Sequence, residues 1–246
     1  MAQTLDIESR GGRAGTPLLE VKDLVMHYGT KEGDVSAVED VTFTLHSGEA
    51  IGLVGESGCG KTSVALTLLR LLPDNSLIKG GDVKLDGESL IELDEEQMRR
   101  RRWRDISMVF QGAMNSWNPV YRIGDQIREA LRLHWPETLT YQQETERIGA
   151  LFELVGLNPV TMERYPHEFS GGMRQRAVIA MALSCNPKVI IADEPTTALD
   201  VIVQDQILRE LKKIQQELGM SIIYISHDIA VIAEVTERMG VMYAGK

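Results

Sequence analysis

Apolar residues recur along this chain at two spacings. Alternation of apolar and polar positions predicts strands at Leu18–His27, Val35–Leu45 and Ala50–Val54. A further strand pair is expected around Gly81–Leu85, where Asp86-Gly87 supplies residues suited to a hairpin turn. Spacings of three and four predict helices over Lys61–Leu72, Ile123–His134, Gln142–Val155, Arg174–Ser184 and Val201–Leu218. Three short runs, Ile106–Phe110, Val189–Ala192 and Ile222–Ile225, are apolar throughout, as strands of a parallel sheet buried on both faces would be. Strands and helices alternate at both ends of the chain, and residues from about 123 to 186 are mostly helical. That order predicts an α/β core carrying a helical insertion. Residues Met1–Thr16, with Gly11, Gly12 and Gly15 among polar neighbours, read as a loose tail.

Composition narrows the classes. A length of 246 residues fits one large domain or two coupled lobes. Hydrophobic residues at 43% and charged residues at 25% exclude disorder, collagen and coiled coil as whole-chain descriptions. A net charge of −10 argues against a nucleic-acid partner held through its phosphates. The cluster Arg99–Arg102 with Arg104 is flanked by Asp94, Glu95, Glu96 and Asp105 and reads as a solvated helix face. Cys59 and Cys185 are too few for a disulfide framework or a cysteine zinc site, and no secretory signal is seen, so a reducing cytoplasm is expected. The longest apolar stretches, Ala177–Cys185 and Val189–Ala192, fall far short of the roughly 18 residues of a membrane span. Any membrane role therefore comes through a partner.

Three segments carry chemistry. Gly55-Glu56-Ser57-Gly58-Cys59-Gly60-Lys61-Thr62 matches G-x-x-x-x-G-K-[ST] in full, between a predicted strand and a predicted helix. Glycines let successive backbone N–H groups turn toward one anion, and the helix N-terminus adds partial positive charge. Lys61 can then reach the β and γ phosphates, and the Thr62 hydroxyl can ligate Mg²⁺. The strand Val189–Ala192 ends in Asp193 and Glu194. Alone that pair is an ordinary acidic turn. Beside a phosphate loop, Asp193 is placed to hold Mg²⁺ and Glu194 to act as general base on water. Ser170-Gly171-Gly172-Met173-Arg174-Gln175 opens a helix and offers a second anion site of the same physical kind. Lacking its own lysine, it makes sense as the completion of another subunit's nucleotide pocket.

With these segments in this order the chain resembles the ATP-binding subunit of an ABC transporter, over about Leu18 to Lys246. Ser170–Gln175 is similar to that family's signature, with Met173 where Gln is commonest. Tyr28 resembles the aromatic residue that stacks on adenine, and Gln111 the Q-loop glutamine, a Mg²⁺ ligand. Thr197-Ala198-Leu199-Asp200 resembles the D-loop, and His227 the switch histidine on the γ-phosphate. The resemblance implies a P-loop NTPase (RecA-like) core, an antiparallel β-subdomain and an inserted α-helical subdomain. On that reading residues 17–111 and 187–246 form the core with its β-subdomain, and residues 112–186 the helical subdomain and signature helix. It implies ATP and Mg²⁺, with Tyr28, Ser57, Gly58, Cys59, Gly60, Lys61, Thr62 and Ser63 around the nucleotide. Thr62, Gln111 and Asp193 would hold the metal, and Glu194, Gln111 and His227 would serve catalysis. Ser170, Gly171, Gly172, Gln175 and Asp200 would come from the other subunit of a head-to-tail dimer.

Further segments are similar to the peptide-importer (Opp/Dpp-type) ATPases, closest to the D-type subunit. They are Leu71-Leu72-Pro73, Phe110 to Asn115, Asn118-Pro119, Tyr165 to Glu168 and Ala192 to Val201. That resemblance implies a like or F-type ATPase partner, two transmembrane permease subunits and, indirectly, an extracytoplasmic solute-binding protein. It also implies a place at the cytoplasmic face of the membrane. The same subfamily serves nickel and oligosaccharides, and a soluble ABC ATPase of nucleic-acid repair or translation is the alternative from another class. D-type subunits usually continue past the residue matching Lys246, so a truncated or naturally short form is expected. Cys59, at a helix N-terminus, is expected to be alkylated readily.

Overall fold

The computed structural model describes residues 17–197 and 199–246. The expected tail, Met1–Thr16, and Ala198 of the D-loop lie outside the described residues. The chain divides into two compact units, one built from Arg102–Met220 and the other from residues up to Arg101 together with Ser221–Lys246.

The second of these holds two sheets. Strands β1 (Pro17–Thr30), β2 (Gly33–His46), β4 (Ser76–Leu85) and β5 (Glu88–Ser89) form an antiparallel sheet in the order β2-β1-β4-β5. Its buried face collects Leu19, Val21, Leu24, Met26, Val38, Leu45, Val83 and Leu85. The register of β1 shifts on both sides of Asp23, which has φ of 49°. Gly81 sits against that irregularity: a Cβ there would lie 2.4 Å from the Asp23 carbonyl oxygen. The turn at Asp86-Gly87 is present, and β4 begins five residues earlier than the pattern predicts, at Ser76.

Strand β3 (Ala50–Val54) pairs in parallel with both β8 (Ser221–Ser226) and β9 (Arg238–Val241). Every residue of β3 and β8 is buried, in β8 including the serines at both ends. Strand β3, predicted from alternation, is apolar or glycine throughout, as a strand covered on both faces would be. Helices α1 (Lys61–Leu69), α2 (Glu95–Arg101) and α7 (Ile229–Val235) complete this unit. Helix α7 lies so close to β3 that a Cβ on Gly52 would stand 2.2 Å from Ile232 Cγ2. Helix α1 stops before the expected Leu72 because Arg70 turns left-handed at φ 48°, with its N–H bonded to the Thr67 carbonyl. On α2, Arg99 and Arg100 pair with Glu96 and Arg101 pairs with Glu88, a solvated charged face.

The unit Arg102–Met220 holds a parallel pair, β6 (Ile106–Val109) and β7 (Val189–Asp193), in register Ile106↔Val189. Around it are α3 (Ile123–His134), α4 (Tyr141–Leu154), α5 (Gly171–Leu183) and α6 (Val201–Leu218), with short 3₁₀ turns between. Thr140 and Gln143 close a reciprocal capping box at the start of α4. Helices α3 and α4 bury Ile127, Leu131, Ile148 and Phe152. They also enclose Glu144, which meets Arg128 Nε at 3.2 Å and Arg132 Nε at 2.6 Å. Among the described residues no helix is long and apolar enough to cross a membrane.

Candidate nucleotide site

In the unit built on β3, the loop 55–60 follows directly from the strand end. Gly55, Gly58 and Gly60 have φ of 155°, 82° and 107°, and at two of them space as well as torsion excludes a side chain. A Cβ on Gly55 would stand 2.3 Å from the Met242 carbonyl oxygen, and one on Gly60 2.3 Å from that of Ala37. Gly60 is the N-cap of α1 and brings no side chain to cap it, so that helix end faces the loop through backbone N–H groups. Lys61 is buried, and its Nζ donates to the carbonyl oxygens of Gly55 (2.7 Å) and Glu56 (2.8 Å), with Cys59 Sγ at 3.5 Å. The ammonium thus sits inside the loop. Cys59 is also buried, which restricts the access that the expected alkylation requires. Ser57, Gly58 and Thr62 are exposed, and Ser63 is half-buried. Tyr28, at the end of β1, has its hydroxyl 3.0 Å from Ser63 Oγ, so the ring is held over the first turn of α1. His227 is exposed immediately after β8, and Asp228 behind it caps α7 through the N–H groups of Ala230 and Val231.

In the other unit, Asp193 ends β7 and is buried, and Glu194 follows with φ of 46°. A left-handed glutamate costs about 1–2 kcal/mol relative to an ordinary backbone conformation. It turns the side chain out of the strand's alternation. Glu194 Oε2 then accepts two hydrogen bonds, from Gln111 Nε2 at 3.0 Å and from Thr197 Oγ1 at 2.8 Å. Gln111 is exposed just past β6. Thr197 is a partner that the motif Thr197–Asp200 names without giving it a part at the carboxylate. Its three-residue spacing from Glu194, closed by a Thr197 N–H to Glu194 carbonyl bond, is the signal that identifies it.

The same unit carries the Ser170 segment. Helix α5 begins at Gly171, three residues before the expected Arg174, because Ser170 caps it by accepting from Met173 N–H at 3.3 Å. A Cβ on Gly172 would lie 3.0 Å from Val203 Cγ1, so the glycine lets α5 approach α6. Ser170 is exposed and Gly171 and Gly172 half-exposed. Gln175 departs from this: it is 4% exposed and buried within the unit. Asp200, expected at a nucleotide, caps α6 by accepting from Val203 N–H at 3.0 Å.

Comparison with known proteins agrees with these segments. Residues 38–197 match the ABC transporter family. The oligopeptide transport ATP-binding protein OppD of Bacillus subtilis (strain 168) is 46% identical over 235 residues, which are 94% of this chain and 65% of that protein. A putative peptide import ATP-binding protein of Brucella ovis is 47% identical over 238 residues, 94% of this chain and 70% of that one. The chain therefore spans about two thirds of the length of the curated relatives it matches. Among solved structures, the dimeric ATP-binding cassette MJ0796 in a post-hydrolysis state, bound to ADP and Pi, superposes with a TM-score of 0.81 at 27% identity, covering 92% of this chain and 95% of that chain. The chain belongs to the ABC transporter family.

Proposed function

We propose that this chain is the ATP-binding and ATP-hydrolysing subunit of an importer, coupling hydrolysis to uptake of peptides through a membrane permease. The observation that carries the reading is the phosphate loop 55–62, with two glycines that tolerate no side chain and a lysine held inside it. On ATP binding, Lys61 exchanges its two carbonyl partners for phosphate oxygens, a charge-assisted contact stronger than the neutral ones it leaves. The α1 N-terminus and the loop N–H groups hold the β-phosphate. Tyr28 stacks on the base.

Glu194 orients and deprotonates the attacking water once ligand binding breaks the bonds from Gln111 and Thr197, and His227 contacts the γ-phosphate. Among the described residues no group of three His, Cys, Asp or Glu side chains forms a metal cluster. Thr62, Asp193 and Gln111 are hard-oxygen donors of the kind Mg²⁺ takes, with only one carboxylate among them, and would hold it together with the substrate phosphates. When bound, Mg²⁺ would neutralise phosphate charge. Ser170, Gly171 and Gly172 complete the site of a second ATPase subunit, consistent with the dimeric state of MJ0796. Peptides as cargo are supported by the names of the relatives; permease partners and a place at the cytoplasmic membrane face are part of the proposal.

Equilibrium binding of a fluorescent ATP analogue to Lys61→Ala tests the site. A loss of affinity of at least about tenfold is expected, and unchanged binding refutes it. Uptake by the reconstituted transporter tests the cargo: ATP-dependent transport of nickel or an oligosaccharide and not of peptide overturns that part.

A further inference from the structure

The phosphate loop is held from outside as well as by its own bonds. Its outer side is braced by residues near the end of the chain that no motif includes. Beyond β9, Met242 N–H extends the pairing to β3 by donating to the Val54 carbonyl at 2.7 Å. The Met242 carbonyl fills the space where Gly55 would carry a Cβ, and the Met242 side chain is buried. Tyr243 and Lys246 then exchange two backbone hydrogen bonds, at 2.8 and 3.0 Å. The two residues between them, Ala244 and Gly245, have φ of 48° and 86°, the pattern of a type I′ turn. At the tip of this turn Gly245 N–H donates to the Cys59 carbonyl at 3.0 Å, and the Gly245 carbonyl accepts from Glu39 N–H of β2 at 2.7 Å. One residue thus ties the phosphate loop to the antiparallel sheet.

The consequence follows from peptide geometry. In a trans peptide the C=O and the next N–H point to opposite sides of one plane. The Cys59 carbonyl is fixed toward Gly245, so the Gly60 N–H of that same peptide is turned the other way. We propose that the turn 243–246 is a positioning element for nucleotide binding, and that Gly245 aims the Gly60 N–H at the phosphate by holding the Cys59 carbonyl. This rests on the reading of residues 55–62 as an ATP site and adds residues to it. Gly245 suits this turn because its φ is left-handed, which strains most side chains, while a Cβ at 3.2 Å from the Ala37 carbonyl oxygen needs a shift of only a few tenths of an ångström.

The test compares Gly245→Val with Gly245→Asn, since Asn tolerates the left-handed region and a β-branched residue does not. ATP affinity, kcat at saturating ATP and the thermal midpoint without nucleotide are measured for each. Gly245→Val is expected to weaken ATP binding about tenfold with kcat changed less than about threefold, and Gly245→Asn to stay within about threefold of the parent in both. Parental affinity in Gly245→Val, whatever its thermal midpoint, overturns the proposal. So does an equal loss in the Val and Asn variants. If Gly245→Val does not fold, Gly245→Ala against Gly245→Asn gives the same ordering with a smaller gap. Lys61→Ala separates the two claims: if it binds ATP normally the site assignment fails, and if it alone loses binding only the role of the turn fails.

Discussion

Glu194→Gln separates chemistry from architecture at this site. In the parent, Glu194 Oε2 accepts from Gln111 Nε2 and Thr197 Oγ1. A glutamine carbonyl has two lone pairs and can keep both bonds, so the change lost is from charged to neutral acceptors. Hydrogen bonds to charged groups contribute about 1.5–3 kcal/mol and neutral ones about 0.5–1.5, a difference of about 1–1.5 per bond when buried. Both bonds are exposed, which screens most of it and leaves about 1 kcal/mol for the pair. For a chain of this size that shifts the thermal midpoint by no more than about 2–4 °C. The rate responds differently. A positioned general base contributes about 10²–10⁴, equivalent to about 3–5 kcal/mol of barrier. Phosphate release under Mg-ATP should therefore fall at least about a hundredfold, with ATP affinity and melting little changed. A variant hydrolysing ATP within about threefold of the parent would refute the assignment of Glu194 as base, which predicts the larger loss. Light scattering on the same variant reads the second half-site. A dimer that forms only with Mg-ATP means that Ser170–Gly172 of an identical chain completes the pocket, and a monomer that binds ATP means that an unlike subunit does.

Two further perturbations probe each unit alone. Glu144→Ala leaves Arg128, whose side chain is only 4% exposed, with Asp125 as its remaining acidic neighbour, and loss of a buried partner costs about 3–5 kcal/mol. Chemical denaturation should show that loss, and a change under about 1 kcal/mol would mean that Asp125 at 2.6 Å suffices. Glu49→Gln tests the tie between the start of β3 and β9. Burial alone would raise the Glu49 pKa, but hydrogen bonds from Arg238 and His46 outweigh it and hold the carboxyl below its usual range. A depressed folded-state pKa contributes stability that is present above the unfolded value of about 4.3 and is lost as pH falls through the folded one. The gap in thermal midpoint between parent and Glu49→Gln should therefore be full at neutral pH and close below about pH 4. A gap independent of pH would assign the effect to packing.

Elements with strong periodicity were legible in the sequence. The helices Ile123–His134 and Val201–Leu218 have the bounds that the apolar spacing predicts. Of the three apolar runs, Val189–Ala192 and Ile222–Ile225 are buried throughout, while β6 stops at Val109 and Phe110 is exposed. Short elements were not. All four residues of β9 are exposed, so no alternation marks it, and it exists because its backbone pairs with β3. Helix α7 has seven residues, too few for a periodicity to repeat, and depends on the Asp228 cap and on the room left by Gly52. The early end of α1 rests on one left-handed arginine, a residue type with no sequence bias toward that conformation.

The site shows the same division for a physical reason. Residues 55–61 were legible because three positions each need one residue type: backbone contact at 2.3 Å admits only glycine at 55 and 60, and only a long cation at 61 reaches from α1 into the loop. What holds the catalytic groups in place comes from parts of the chain distant in sequence and carried by ordinary residues. Gln111 reaches Glu194 across 83 positions, and Tyr28 reaches Ser63 across 35. The left-handed backbone of Glu194 is not encoded by Glu itself. It persists because the Gln111 and Thr197 bonds, about 0.5–3 kcal/mol each, offset about 1–2 kcal/mol of strain. Those terms are close in size, so a ligand that takes Gln111 for itself removes part of what keeps the carboxylate turned. On the proposed role of Glu194 as base, such a ligand would also be what frees it.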